Sequence, residues 1–209
     1  MVIAAVGFVG LSVLAGIAVP VILKQQKYAA LASCVSNAKQ IDLMLTYFEA
    51  DYNSFPNDQT AAAVREKTNT DLPLGNTTSN DYFRQLIAAQ VIDSELTFYA
   101  HVPGIHKPDN VTAGSHCLEA GECAFTYVFG LTSGDDGSTP LVLTPMIPGT
   151  TTFDPQPFSR KAVVVHVDHT TTVEPIDSTG HVMVNGMDLF DPKQPFWHGK
   201  NPQLRYPKL

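Results

Sequence analysis

The chain has 209 residues and a formal net charge of −7, with 13 Lys and Arg against 20 Asp and Glu. The basic residues are scattered rather than clustered, which argues against a nucleic-acid partner, because phosphate contacts need grouped Lys and Arg to displace counterions. The length suits one domain, or one domain with an appendage, and the uncharged stretch from Met1 to Leu23 favours the appendage.

That first stretch, MVIAAVGFVGLSVLAGIAVPVIL, is almost purely apolar. A helix rising about 1.5 Å per residue needs roughly 20 such residues to cross a bilayer, so residues 1–23 predict a transmembrane helix. A cleaved secretory signal would have a basic start and a shorter apolar core, and neither is present. Leu31-Ala32-Ser33-Cys34 has the residue types of a lipid-attachment site, but Lys24, Gln25, Gln26 and Lys27 separate it from the apolar run. A buried helix of a protein bundle is the remaining alternative, and Gly7, Gly10 and Gly16 would allow close packing in either setting. Lys24 and Lys27 lie on the C-terminal side of the run and by themselves would hold the downstream chain in the cytoplasm. A basic leader ahead of Met1 would reconcile this with a head outside the cytoplasm.

From Leu31 the apolar positions are Leu31, Cys34, Ala38, Ile41, Leu45, Phe48 and Tyr52, at alternating spacings of three and four. This is an amphipathic continuation of the helix over residues 24–55. No Gly or Pro interrupts it between Val21 and Tyr52, so the two parts form one rod of about 75–80 Å. Pro20 falls inside that rod, where it removes a backbone donor in a way membrane helices tolerate.

Residues 56–209 read as a globular α+β head. A polar connector comes after Pro56, then a helix from about Asn80 to Val91 capped by Ser79 or Asn80, then a long turn-rich loop through Ser115. Strands are expected at 124–130, 140–145, 162–167, 171–175 and 181–184, forming a small, mostly antiparallel sheet with Val163, Val165 and Val167 on the face toward the rod. The prolines at 192, 195, 202 and 207 predict an extended surface tail anchored by Trp197.

Cys117 and Cys123 enclose a short polar loop that a disulfide would close, which points to an oxidising compartment; two reduced thiols are the alternative. Cys34, among apolar helical positions, predicts a buried free thiol. His116 with the same two cysteines gives three zinc-type ligands without a fourth. On the strand ending at 167, His166 and Asp168 would share a face and offer metal ligands, although a turn explains them as well. Asp135 and Asp136, in Ser133-Gly134-Asp135-Asp136-Gly137-Ser138, could hold calcium in the manner of an oxygen-rich turn, or simply be solvated. No nucleophile elbow, phosphate-binding glycine loop or paired helical histidines occur, and the chain reads as non-enzymatic, with no catalytic residue and no cofactor apart from that calcium.

The apolar helix with a late proline, Ala-Ser-Cys-Val-Ser-Asn-Ala-Lys-Gln-Ile-Asp-Leu-Met-Leu at 32–45, and the Phe55-Pro56 exit resemble the start of bacterial type IV pilins and pseudopilins. More narrowly, Cys34, Ser36, Asn37, Lys39 and Gln40 resemble pseudopilin-like proteins of planctomycetes and verrucomicrobia, as do residues 122–128 and 161–168 in the second half. The resemblance covers 1–56 closely and 120–192 loosely. It implies a pilin-like α+β fold and a structural subunit of a pilus or type II secretion pseudopilus. Such a subunit would rest in the inner membrane with its head outside the cytoplasm, then join an extracellular or periplasmic filament of copies of itself. Val6, Phe8, Leu11, Leu14 and Pro20 would form the assembly helix. That family carries a leader cleaved before the mature N-terminus and a glutamate near the fifth mature residue; here Ile3-Ala4-Ala5 is apolar, so either subunit contacts rely on apolar packing alone or some N-terminal residues are absent from this sequence. The alternative is a membrane-anchored, monomeric extracytoplasmic binding domain, metal-binding at the histidine and aspartate candidates.

Overall fold

A computed structural model describes residues 22–209 of the protein; of the first helix, α1 (Val2–Tyr52), the part from Ile22 onward is described. The stripe predicted along that helix is the side it buries: Cys34, Ala38, Ile41, Leu45 and Phe48 are sealed in the core, with Leu31 and Tyr52 packed at its margins. Polar side chains on either flank fasten the rod to the head. Asn37 Nδ2 donates to the carbonyls of Leu96 (3.1 Å) and Tyr99 (2.8 Å), Thr97 Oγ1 donates to Gln40 Oε1 (3.2 Å), and His169 Nδ1 lies 3.0 Å from Asp42 Oδ1. Further up, Lys27 Nζ donates to the Gln156 carbonyl at 2.6 Å.

Two short helices come next. The first, α2 (Asp58–Thr68), occupies the stretch expected to be a polar connector, and α3 (Ser79–Ala88) is the expected second helix, shorter at its end. Its cap is Thr78, ahead of both predicted candidates, Ser79 and Asn80: the Thr78 side chain accepts from the Asp81 N–H, and Asp81 Oδ2 accepts from the Thr78 N–H. Leaving α1, the chain turns at Phe55-Pro56, and the Pro56 carbonyl accepts from the buried Tyr127 hydroxyl at 3.0 Å.

The strands are β1 (Thr126–Phe129), β2 (Pro140–Thr144), β3 (Lys161–His166), β4 (Thr171–Pro175), β5 (Met183–Val184), β6 (Met187–Asp188) and β7 (Gln203–Arg205). Five of them form an antiparallel sheet in the order β4-β3-β2-β1-β7, and β5 pairs with β6 in a separate hairpin. The tail is therefore not only laid on the surface. Its residues 203–205 pair with β1 as an edge strand, the one place in a sheet where neighbouring prolines do least harm.

Alternation sorts β3 between two cores. Val163, Val165 and Val167 face α1, as predicted, while Ala162 and Val164 face a second core built from Phe153, Ile176, Val182, Leu189, Phe190, Phe196 and Trp197. The central strands are covered on both faces, and β2 is buried along its whole length. Trp197 does anchor the tail, donating Nε1–H to the Leu189 carbonyl at 2.8 Å.

Among the described residues no helix is long and apolar enough to cross a membrane. The expected span at 1–23 falls almost entirely outside them, as do the assembly positions Val6, Phe8, Leu11, Leu14 and Pro20.

Candidate functional site

The aspartates and the histidine read from sequence as cation ligands take part in local hydrogen bonds. Asp135 Oδ2 accepts from the Thr132 N–H (2.8 Å) and hydroxyl (3.0 Å), and Asp136 Oδ1 accepts from the Ser138 N–H (2.9 Å). His166 has both ring nitrogens engaged, Nδ1 at 2.9 Å from the Ser138 carbonyl and Nε2 at 3.1 Å from Thr172 Oγ1. Asp168 Oδ1 accepts from the Thr170 N–H and hydroxyl. These four residues do not converge as a ligand set. His169, next in line, points to α1 instead.

Cys117 and Cys123 are free thiols, a correction to the expected disulfide, and both are buried. Each sulfur faces its own surroundings: Cys123 Sγ lies 3.7 Å from Ser79 Oγ and 3.6 Å from the Phe125 carbonyl, while Cys117 sits beside Glu95 and Arg84. Burial pushes the Cys117 thiol up to about 12 and Cys123 up to about 11, which makes thiolate, the form that exchanges or binds metal, scarce. His116 is on the surface against Glu119 at 3.2 Å, so the zinc-type trio is not assembled. The inference of an oxidising compartment loses the support the disulfide gave it. Cys34 is buried and free, as expected, and burial raises its thiol as well.

What the fold does gather is a group absent from the sequence-based candidates. Glu95, Asp109 and Glu122 each place a carboxylate oxygen within 4.8 Å of the others, the one such group of three or more among the described residues. Glu95 begins a 3₁₀ turn, Glu95–Phe98, that lies against α1; Asp109 is in the long loop beyond that turn; Glu122 sits just ahead of β1. Backbone and side chains lock them in place. Asn110 Oδ1 accepts from the Ser94 hydroxyl (2.8 Å) and the Glu95 N–H (2.9 Å), which brings Asp109 beside Glu95. The Asp109 N–H donates to Glu122 Oε1 at 3.3 Å, the Glu119 N–H to Glu122 Oε2 at 2.6 Å, and the Leu118 N–H to Glu95 Oε1.

Arg84 crosses beneath this loop without neutralising it. Its Nε donates to the Cys117 carbonyl (2.7 Å), Nη2 to the Leu118 carbonyl (2.9 Å), and Nη1 to Asp81 Oδ1 (2.8 Å). Burial, followed by the charges of Glu122 and Asp109, pushes the Glu95 carboxyl above its ordinary value against the pull of the Leu118 N–H. Nothing at ligand spacing announces the group in sequence, because its members come from three segments joined only by the fold. Set against protein-family models, curated proteins and solved structures, the chain matches none.

Proposed function

We propose that the chain is a non-enzymatic structural subunit of a type IV pilus-like or type II secretion pseudopilus filament. It rests in the inner membrane, head outside the cytoplasm, and then packs with copies of itself into an extracellular or periplasmic filament. The observation that carries this reading is how α1 divides. From Cys34 to Phe48 its apolar stripe is sealed by the head, while Ile22, Leu23 and Tyr28 are 54%, 53% and 49% exposed, and the sequence before Ile22 is uncharged. Apolar surface gains about 25 cal/mol for each Å² removed from water, so the exposed Ile22, Leu23 and Tyr28, following an apolar sequence, favour another cover. Lipid supplies it before assembly and neighbouring helices after. The resemblance of residues 1–56 to pilin and pseudopilin N-termini favours the same reading and is the basis for placing the head outside the cytoplasm.

Electron microscopy of the native protein tests it. Helical filaments with the rods bundled at the centre are expected. A monodisperse monomer in detergent that forms no filament once detergent is removed would replace this reading with a membrane-tethered, monomeric binding domain.

A further inference from the structure

We infer that the head carries a binding site for a hard divalent cation, calcium by its chemistry, formed by Glu95, Asp109 and Glu122. Three carboxylates meet there, and among the described residues no Lys or Arg lies within ion-pair distance, the nearest basic side chain being the exposed His106 imidazole, 3.9 Å from Glu122 Oε1. Convergence alone would not make a site. A second observation points to a ligand: Glu95 is fully buried, and its Oε2 has no hydrogen-bond partner. A buried carboxylate oxygen without a donor is costly unless a positive charge meets it. The backbone N–H donors here go to other oxygens of the group, Leu118 N–H to Glu95 Oε1, Glu119 N–H to Glu122 Oε2 and Asp109 N–H to Glu122 Oε1, and the Cys117 thiol beside Glu95 is only a weak donor.

The donor set is all oxygen, which suits calcium over softer metals. Oxygens around a calcium ion at about 2.4 Å lie no more than about 4.8 Å apart, and the three carboxylates already meet that limit. Glu95 and Glu122 form the buried floor, while Asp109 is exposed and leaves the site open to solvent, so water can complete the six to eight ligands calcium takes. Binding there has a mechanical result. It clasps the loop carrying Asp109 and the segment before β1 to the turn that Asn37 and Gln40 hold against α1. The cation thus stiffens the join between rod and head.

Calorimetric titration of calcium chloride into the full chain in detergent, stripped with EGTA, tests this. One site per chain is expected, with Kd on the order of 10⁻⁴–10⁻³ M, the range of extracellular calcium modules. Asp109→Asn, at an exposed position, should weaken binding by about tenfold or more without lowering the calcium-free melting temperature, because it removes one of three converging negative charges. Glu95→Gln should abolish binding; should that variant fail to fold, Asp109→Asn decides alone. Absence of heat up to about 10 mM calcium, unchanged affinity in Asp109→Asn, or zinc binding that calcium does not compete would each overturn the assignment. None of these outcomes depends on whether the chain forms filaments.

Discussion

Arg84 shows how much a single buried side chain can hold. Its guanidinium satisfies the Cys117, Leu118 and Pro73 carbonyls and the Asp81 carboxylate at once, tying α3 to the loop before β1. Replacing it by Met keeps the volume but strands those acceptors and leaves Asp81 without its ion pair. Arg84→Met is expected to cost about 3–5 kcal/mol, measured by urea denaturation. The cysteines give a chemical counterpart. With all three thiols buried and free, a thiol reagent at pH 8 should label none in the native protein and three after unfolding in guanidinium; one on unfolding would mean that Cys117 and Cys123 are bonded. Asp177 supplies the acid-side behaviour. The His181 N–H and then the Thr179 hydroxyl hold its carboxyl down to about 2. A carboxylate depressed in the fold contributes stability above its unfolded value, about 3.9, and loses it as pH falls through about 2. The gap in melting temperature between wild type and Asp177→Asn is therefore expected to be present at pH 5 and to close as pH falls from about 4 to 2.

At the scale of elements, α1 is the most legible part of the molecule and α2 the least. The stripe on α1 recurs at spacings of three and four over several turns, and the buried side tracks it residue by residue. Leu45→Ala, at the centre of that stripe, is expected to cost about 2–5 kcal/mol in denaturant unfolding, the range for emptying a packed leucine site. The helix α2 buries only Thr60, Ala61 and Val64, so no apolar period marks it. Its signal is in its ends. Asn57 caps the first turn, its Oδ1 accepting from the Gln59 (2.8 Å) and Thr60 (2.9 Å) N–H groups; Arg65 and Lys67 lie in the last turn, and Asn69 closes it in the left-handed conformation. Asn57→Ala should destabilise the protein by about 1 kcal/mol, read from the same unfolding curves. Strands β1 to β4 are legible because Gly, Pro and Asp bound short runs of β-branched residues. The last strand, β7, is not: Gln203-Leu204-Arg205 lies between Pro202 and Pro207, and only the open side of β1 makes it a strand.

Over residues 22–209 the molecule is a helix, a five-stranded sheet laid against it, and a second core on the far side of the sheet. The first core can be anticipated, because both of its walls, the α1 stripe and the alternating valines of β3, carry their own period. The second cannot, since Phe153, Phe190 and Trp197 come from irregular segments whose direction is set only by the tertiary fold. The acidic group is hidden for the same reason. Metal sites are visible in sequence when ligands sit at helical or turn spacing, as Asp135-Asp136 and His166-Val167-Asp168 do, yet the fold gives each of those side chains local hydrogen bonds and does not bring the four together. The converging carboxylates come from separate loops.

Strand order also bears on the timing of folding. The outer edge of β1 is closed by β7, which comes after every other strand along the chain; beside it the Tyr206 carbonyl accepts from the Ser79 N–H, the Lys208 carbonyl accepts from the Gly121 N–H, and the Lys208 N–H donates to Asn80 Oδ1. Contacts so distant in sequence form late, because long loops must close first. During biogenesis β1 therefore waits as an unpaired template until residues 203–208 arrive, and in that interval a foreign strand can take their place.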